Sequence, residues 1–266
     1  MTAMTTDGER RGIGPGQRIG TITVLKGAVA RLRAAGWRAA VVWLAIGGAA
    51  YAVQIGFAAL GVRPAAPQAT GWYPAYALVS AMVGGAGVAW ALRLLVQGRA
   101  AWLTFDRRFV ECAGLLAALT LAFLAISAVY TGFATAMGPA SAAAGVAGLG
   151  VGIAYIAAAY VSLKLTLWPV GRLTGRTEVT AARSWRLMRK ATRGLILGYL
   201  VLLIPLIVVA GAAMAPIVAA GGEARGLTLV VLQFGTAAFS LAAYAMTATI
   251  YTLRVENPAT VADVFD

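Results

Sequence analysis

Six uninterrupted apolar stretches govern what this chain can fold into. They lie near 39–62, 75–96, 110–136, 142–169, 195–220 and 227–253. Each is long enough, as a helix, to cross about 30 Å of hydrocarbon, which takes roughly 20 residues. They are apolar without the two-residue alternation of a membrane barrel, so helices are the spanning form to expect. Short breaks rich in charge or turn formers separate them, at 63–67, 137–139 and 221–223. Apolar residues fill 61% of the 266 positions and charged residues only 12%, against roughly a quarter charged in soluble domains. A water-soluble globule of this size has no interior large enough for that much apolar surface. The expected fold is therefore all-α: a polytopic membrane helix bundle with six transmembrane helices and amphipathic interfacial helices on the cytoplasmic side. Residues 1–18 are expected to be a disordered cytoplasmic N-terminus, 19–254 the membrane domain, and 255–266 a short acidic cytoplasmic tail.

The positive charges set the expected threading. With six crossings, twenty of the twenty-two Lys and Arg residues fall on the side of the N-terminus, and only Arg63 and Arg225 on the other. This positive-inside pattern places both termini in the cytoplasm. The net charge of +13 is then a property of one membrane face. Anionic lipid headgroups are its expected partner, and nucleic acid is not. The first apolar stretch is longer than a signal-peptide core and is expected to be retained.

Residues 177–193, TEVTAARSWRLMRKATR, carry a strong amphipathic pattern. On a helical wheel Arg183, Arg186, Arg189, Lys190 and Arg193 gather in an arc of about 120°. Trp185, Leu187, Met188, Ala181 and Ala191 fill the opposite arc. Thr177 is the expected N-cap, and Glu178 suits the positive helix end. One basic face and one face with Trp, Leu and Met fit the headgroup layer, so Arg183, Arg186, Arg189, Lys190, Arg193 and Trp185 are candidate lipid-headgroup contacts. A connecting helix packed on the bundle, with arginines that only set topology, explains the same pattern. Residues 22–38 behave similarly, with Val24, Leu25, Ala28, Val29 and Leu32 on one side and Lys26, Arg31, Arg33 and Arg38 on the other. A shift of 155 residues brings Val24 onto Val179, Arg31-Leu32 onto Arg186-Leu187 and Arg38 onto Arg193. This suggests a duplicated unit of interfacial helix plus hairpin, with a degenerate middle copy at 98–109.

The run LKLTLWPVGRLTGRTEVTAARSWRLMRKATRGLILGYLVLLIPL, residues 163–206, resembles a group of bacterial six-span membrane proteins in which a basic SWRL-type helix precedes the fifth span. The group includes the membrane domain fused to some glycerophosphodiester phosphodiesterases. The resemblance implies a bacterial inner-membrane location and no catalytic role, because spans and short loops leave no room for a barrel-sized catalytic domain.

Few polar groups fall inside the apolar stretches, and such groups are functional candidates by default. Arg93 and Lys164 sit near span ends and are expected to snorkel to the headgroups. Glu111 is expected to pair with Arg107 or Arg108 one turn earlier, or with Lys164. Gln54 and Gln233 lie deeper, each able to hydrogen-bond across helices. Gly148-xxx-Gly152 and Gly194-xxx-Gly198 match the small-residue spacing of close helix approach. Trp72, Tyr73 and Tyr76 on one side, with Trp37, Trp102, Trp168 and Trp185 on the other, form the expected aromatic belts.

No histidine is present and Cys112 is the only cysteine, so no cofactor, metal site or catalytic triad is expected. The expected function is a non-enzymatic integral inner-membrane protein, a scaffold or lipid-organising component. The alternative is a transporter or permease for a small hydrophobic or lipid-like solute, with a cavity lined by Gln54, Gln233 and the Ser/Thr set of the sixth span. Homo-oligomerisation is left open.

Overall fold

A computed structural model describes residues 19–61, 71–137, 142–219 and 225–256. Among them every regular element is helical. Six are long: α2 (Trp37–Ala59), α3 (Tyr73–Gln97), α4 (Arg107–Met137), α5 (Ala142–Leu165), α8 (Thr192–Ala219) and α9 (Arg225–Tyr251). Three are short, α1 (Thr21–Ala35), α6 (Leu167–Thr174) and α7 (Ala181–Met188), and a π-helical turn at Thr252–Glu256 follows α9. By length and composition five segments are able to cross a membrane: Trp37–Ala59, Tyr73–Gln97, Arg107–Ile126, Gly148–Thr174 and Leu229–Glu256. Within α8 the same measure finds a shorter apolar stretch, Thr192–Ile204. The tails at 1–18 and 257–266, and most of the expected breaks, lie outside the described residues.

The helices stop where the chain chemistry predicts. Gly36 at φ 60° separates α1 from α2, and its N–H bonds the Leu32 carbonyl at 3.1 Å. Gly98 at φ 79° closes α3 in the same way on Leu94. A side chain at either position would be strained in this left-handed region. Pro74 stands in the first turn of α3, where a missing N–H leaves no bond unmade. The expected fourth span, 142–169, divides at Thr166, whose hydroxyl bonds the Ser162 and Leu163 carbonyls at 2.8 and 2.9 Å. Pro169 therefore falls in the first turn of α6.

Helix α9 is central and packs on α1, α2, α3 and α8, while α4 packs on α3, α5 and α6. Close approach is bought with small residues. A Cβ on Gly85 of α3 would stand 2.5 Å from the Ala113 carbonyl oxygen of α4. Of the expected small-residue pairs, Gly194 and Gly198 do meet neighbours, the Ile19 carbonyl and Met246 Sδ, whereas Gly152 faces open space.

Among the described residues the fully buried core gathers at the end bearing α1, α6 and α7, hereafter the basic end. Val24, Leu92, Leu167, Leu173, Val179, Met188, Leu195, Met246, Ile250 and Tyr251 are all buried there. Large apolar side chains further along α5 and α8, such as Leu149, Ile153, Ile156, Ile204 and Val208, stay exposed, as surfaces meant for lipid do.

Some features of the structure recur at the 155-residue spacing and others do not. Helices α2 and α8 begin at Trp37 and Thr192, which are 155 apart, but α1 runs over Thr21–Ala35 and α7 only over Ala181–Met188. Val24 and Val179 are both fully buried, and Leu32 and Leu187 both half-buried. The expected middle copy at 98–109 is corrected: residues 98–106 form turns and irregular chain, and helix starts only at Arg107.

Candidate functional site

The basic face is built on α7 and the start of α8. The expected N-cap, Thr177, is corrected to Thr180, whose hydroxyl accepts from the Arg183 N–H at 3.3 Å. The helix ends at Met188, and the chain turns at 189–191 before α8 begins. One continuous amphipathic helix over 177–193 is therefore replaced by a short helix, a turn and the first residues of α8. The turn is held by Thr192, whose hydroxyl donates to the Met188 carbonyl at 2.6 Å.

Helix α7 is docked on its own bundle. Met188 is fully buried, and Ser184 is buried with its hydroxyl donating to the Lys164 carbonyl at 2.7 Å. The inward apolar arc therefore touches protein. The opposite side remains open: Arg183, Arg186, Arg189, Lys190 and Arg193 are all exposed, as is Trp185. The segment is thus a bundle-packed connector with its basic side chains exposed.

Lys164 takes neither expected role. It is 3% exposed, and its Nζ lies 5.2 Å from the Tyr160 ring centre and 5.9 Å from that of Trp185. Those rings meet edge to face at 6.0 Å. The ammonium is thus held by aromatic faces, a contact strengthened by exclusion of water, and is not paired with Glu111. Glu111 pairs instead with Arg107, one turn earlier, at 3.0 Å, as one of its expected partners.

Arg93 also departs from expectation. It is 2% exposed and does not snorkel. Its guanidinium pairs with Asp106 at 2.7 Å, donates to the Thr104 carbonyl and lies 5.8 Å from the Phe109 ring. Asp106 in turn accepts the Phe109 N–H at 3.0 Å and so caps α4. That backbone bond, helped by the bond and charge of Arg93, holds the Asp106 carboxyl below the usual carboxylate range. Pattern reading missed Asp106, although an Asp immediately before a helix is a recognisable start signal.

Side chains also close the helix ends nearby. Arg31 donates to the Leu95 carbonyl and, at 2.5 Å, to the Thr252 hydroxyl, which donates to Glu256 at 2.7 Å. Burial lowers the Arg31 pKa, with the Glu256 charge opposing it. Arg99 donates to Ala34 and Gln97 to Leu173. Cations at helix C-termini satisfy orphan carbonyls and suit the dipole. Several expected topology determinants are thus also structural locks.

The expected inner belt is partly a cluster. Trp90 donates to the Trp102 carbonyl at 2.7 Å and stacks on its ring, Trp37 meets Trp102 at 5.8 Å, and the Arg38 guanidinium lies 4.9 Å from the Trp37 ring centre.

Deeper in the bundle, Gln233 of α9 donates to Gln54 of α2. A separate cavity of about 300 Å³ is lined by α3, α4, α5, α8 and α9, with Thr120, Ser162, Tyr199 and Tyr244 among its polar groups. Among the described residues no group of three or more His, Cys, Asp or Glu is placed to hold a metal ion. Comparison with protein-family models, curated proteins and solved structures finds no match.

Proposed function

We propose that this chain is a six-span, non-enzymatic inner-membrane protein, with both termini cytoplasmic, that organises anionic lipid through its basic end. The observation that carries the reading is the division of α7. One side is locked into the bundle by Met188 and Ser184, while Arg183 and Arg186, with Arg189 and Lys190 of the turn that follows, are exposed. A basic face held rigidly beside an anionic leaflet gains about 1 kcal/mol for each cation without ordering its own helix on binding. The α8 helix supplies the sixth span in this reading, and the six-span layout agrees with the resemblance of residues 163–206 noted above.

The test is lipid mass spectrometry of the full chain in nanodiscs that mix phosphatidylglycerol with phosphatidylcholine. Phosphatidylglycerol should be enriched around the wild type and fall to the bulk ratio when Arg183, Arg186, Arg189 and Lys190 are all changed to Gln. Equal enrichment in both would contradict the reading. The transporter alternative gains less support, because Gln54 and Gln233 bond each other across α2 and α9 and do not line the cavity described above.

A further inference from the structure

The cavity between α4, α5, α8 and α9 has a donor inventory that specifies a ligand. It is lined by Val88, Leu116, Leu119, Phe123, Ala159 and Leu163 together with the hydroxyls of Thr120, Ser162, Thr166, Tyr199 and Tyr244, and no charged side chain lines it. Two of those hydroxyl protons are already used. Thr120 donates to the Leu116 carbonyl at 3.0 Å and Thr166 to the Ser162 and Leu163 carbonyls. Ser162, Tyr199 and Tyr244 remain, all half-buried, and none donates a hydrogen bond among the described residues.

Depth sharpens the point. Tyr199 and Tyr244 each lie seven residues inside their helix ends at Thr192 and Tyr251, about 10 Å at 1.5 Å per residue. On the six-span reading that level lies within the acyl chains, where an unmet donor costs several kcal/mol and water is scarce.

We infer that this cavity binds an uncharged lipid through a carbonyl oxygen that accepts from Ser162 and Tyr244. The absence of lining charge excludes an ionic head from the pocket. The spare hydroxyl protons are met by an acceptor on the ligand. The aliphatic and aromatic walls accommodate the adjoining chain or ring, and the volume reaches the lower range of ligand pockets, about 300–1,000 Å³. Two membrane sources carry such a carbonyl, the ring of a lipid quinone and the ester of a diacylglycerol. The site is independent of the basic face and stands whether or not that face gathers anionic lipid.

The experiment is native mass spectrometry of the intact chain in detergent, titrated separately with decylubiquinone, dioleoylglycerol and dioleoylphosphatidylglycerol. One of the two neutral probes should form a saturable one-to-one adduct, and which one does so identifies the source. Tyr244→Phe and Ser162→Ala should each weaken that adduct roughly three- to tenfold, as loss of one hydrogen bond does. Ala159→Phe, which fills the cavity, should abolish it, while thermal unfolding confirms that each variant is folded. The inference is overturned if neither neutral probe binds the wild type better than the Tyr244→Phe/Ser162→Ala double variant. It is equally overturned if the charged phosphatidylglycerol binds with the same dependence on the two hydroxyls.

Discussion

The Arg93–Asp106 pair offers the sharpest perturbation, because its two partners differ so much in exposure. Arg93 is 2% exposed and the Asp106 side chain 45%. Asp106→Asn keeps an oxygen able to accept the Phe109 N–H, so the cap on α4 survives, but it removes the charge facing Arg93. The loss should fall between that of a surface pair, about 0–1 kcal/mol, and that of a buried pair stripped of one partner, about 3–5 kcal/mol. About 2 kcal/mol is expected. Arg93→Met should be milder, because the half-exposed carboxylate left behind is solvated and the apolar side chain fits among its buried neighbours. In the Arg93→Met/Asp106→Asn double variant the second change should add almost nothing to the first. Unfolding of the purified chain in mixed micelles, followed by circular dichroism as denaturing detergent is titrated, reads all three. The pair also has a pH signature. The folded carboxyl titrates below its unfolded value of about 3.9, so its stabilisation is complete above that value and is lost as the pH falls through the lower folded one. Asp106→Asn should remove this acid-side loss. Additive single-variant effects, or an Asp106→Asn protein as stable as the wild type, would refute the reasoning.

Other consequences follow from the packing. Gly85→Ala should destabilise the α3–α4 pair by about 1–3 kcal/mol, because its Cβ would meet backbone atoms of Ala113 and Ala117; Gly84→Ala, with open space around it, should be neutral in the same unfolding assay. Gln54→Leu should cost about 1 kcal/mol, the usual worth of a hydrogen bond between membrane helices, and Gln233→Leu should add little on top of it. Ser184→Ala breaks the buried bond to Lys164 and should loosen α7 by about 1 kcal/mol, read as faster hydrogen exchange confined to residues 181–188.

Element existence was legible because hydrophobic runs of membrane length leave the chain few choices. The expected stretches coincide with α2, α3, α4, α8 and α9 to within a few residues at most described ends, and the break at Thr166 is the main exception. Pairings across the bundle were less legible. Helical periodicity shows that 177–193 has two faces, but not that Trp185 comes to rest beside Lys164, twenty-one positions earlier. The same gap hid Asp106 as the partner of Arg93: a charge near a span end reads as a snorkelling group unless the neighbouring loop is known to fold back. Gln54 and Gln233 were recognisable as bonding groups, yet their union depends on how α2 crosses α9. The cavity was invisible for a related reason, since its hydroxyls come from four helices and its character rests on which protons are already spent.

Sidedness of the basic end is the premise on which the lipid-organising account rests, and chemical labelling addresses it directly. With Cys112 changed to Ala, single cysteines at Arg186 and Arg225 would be treated with a membrane-impermeant maleimide in intact cells stripped of any outer barrier, before and after permeabilisation. The account predicts that Arg225→Cys labels at once and Arg186→Cys only after permeabilisation. Immediate labelling of Arg186→Cys would put the basic helix on the wrong side of the membrane and contradict it.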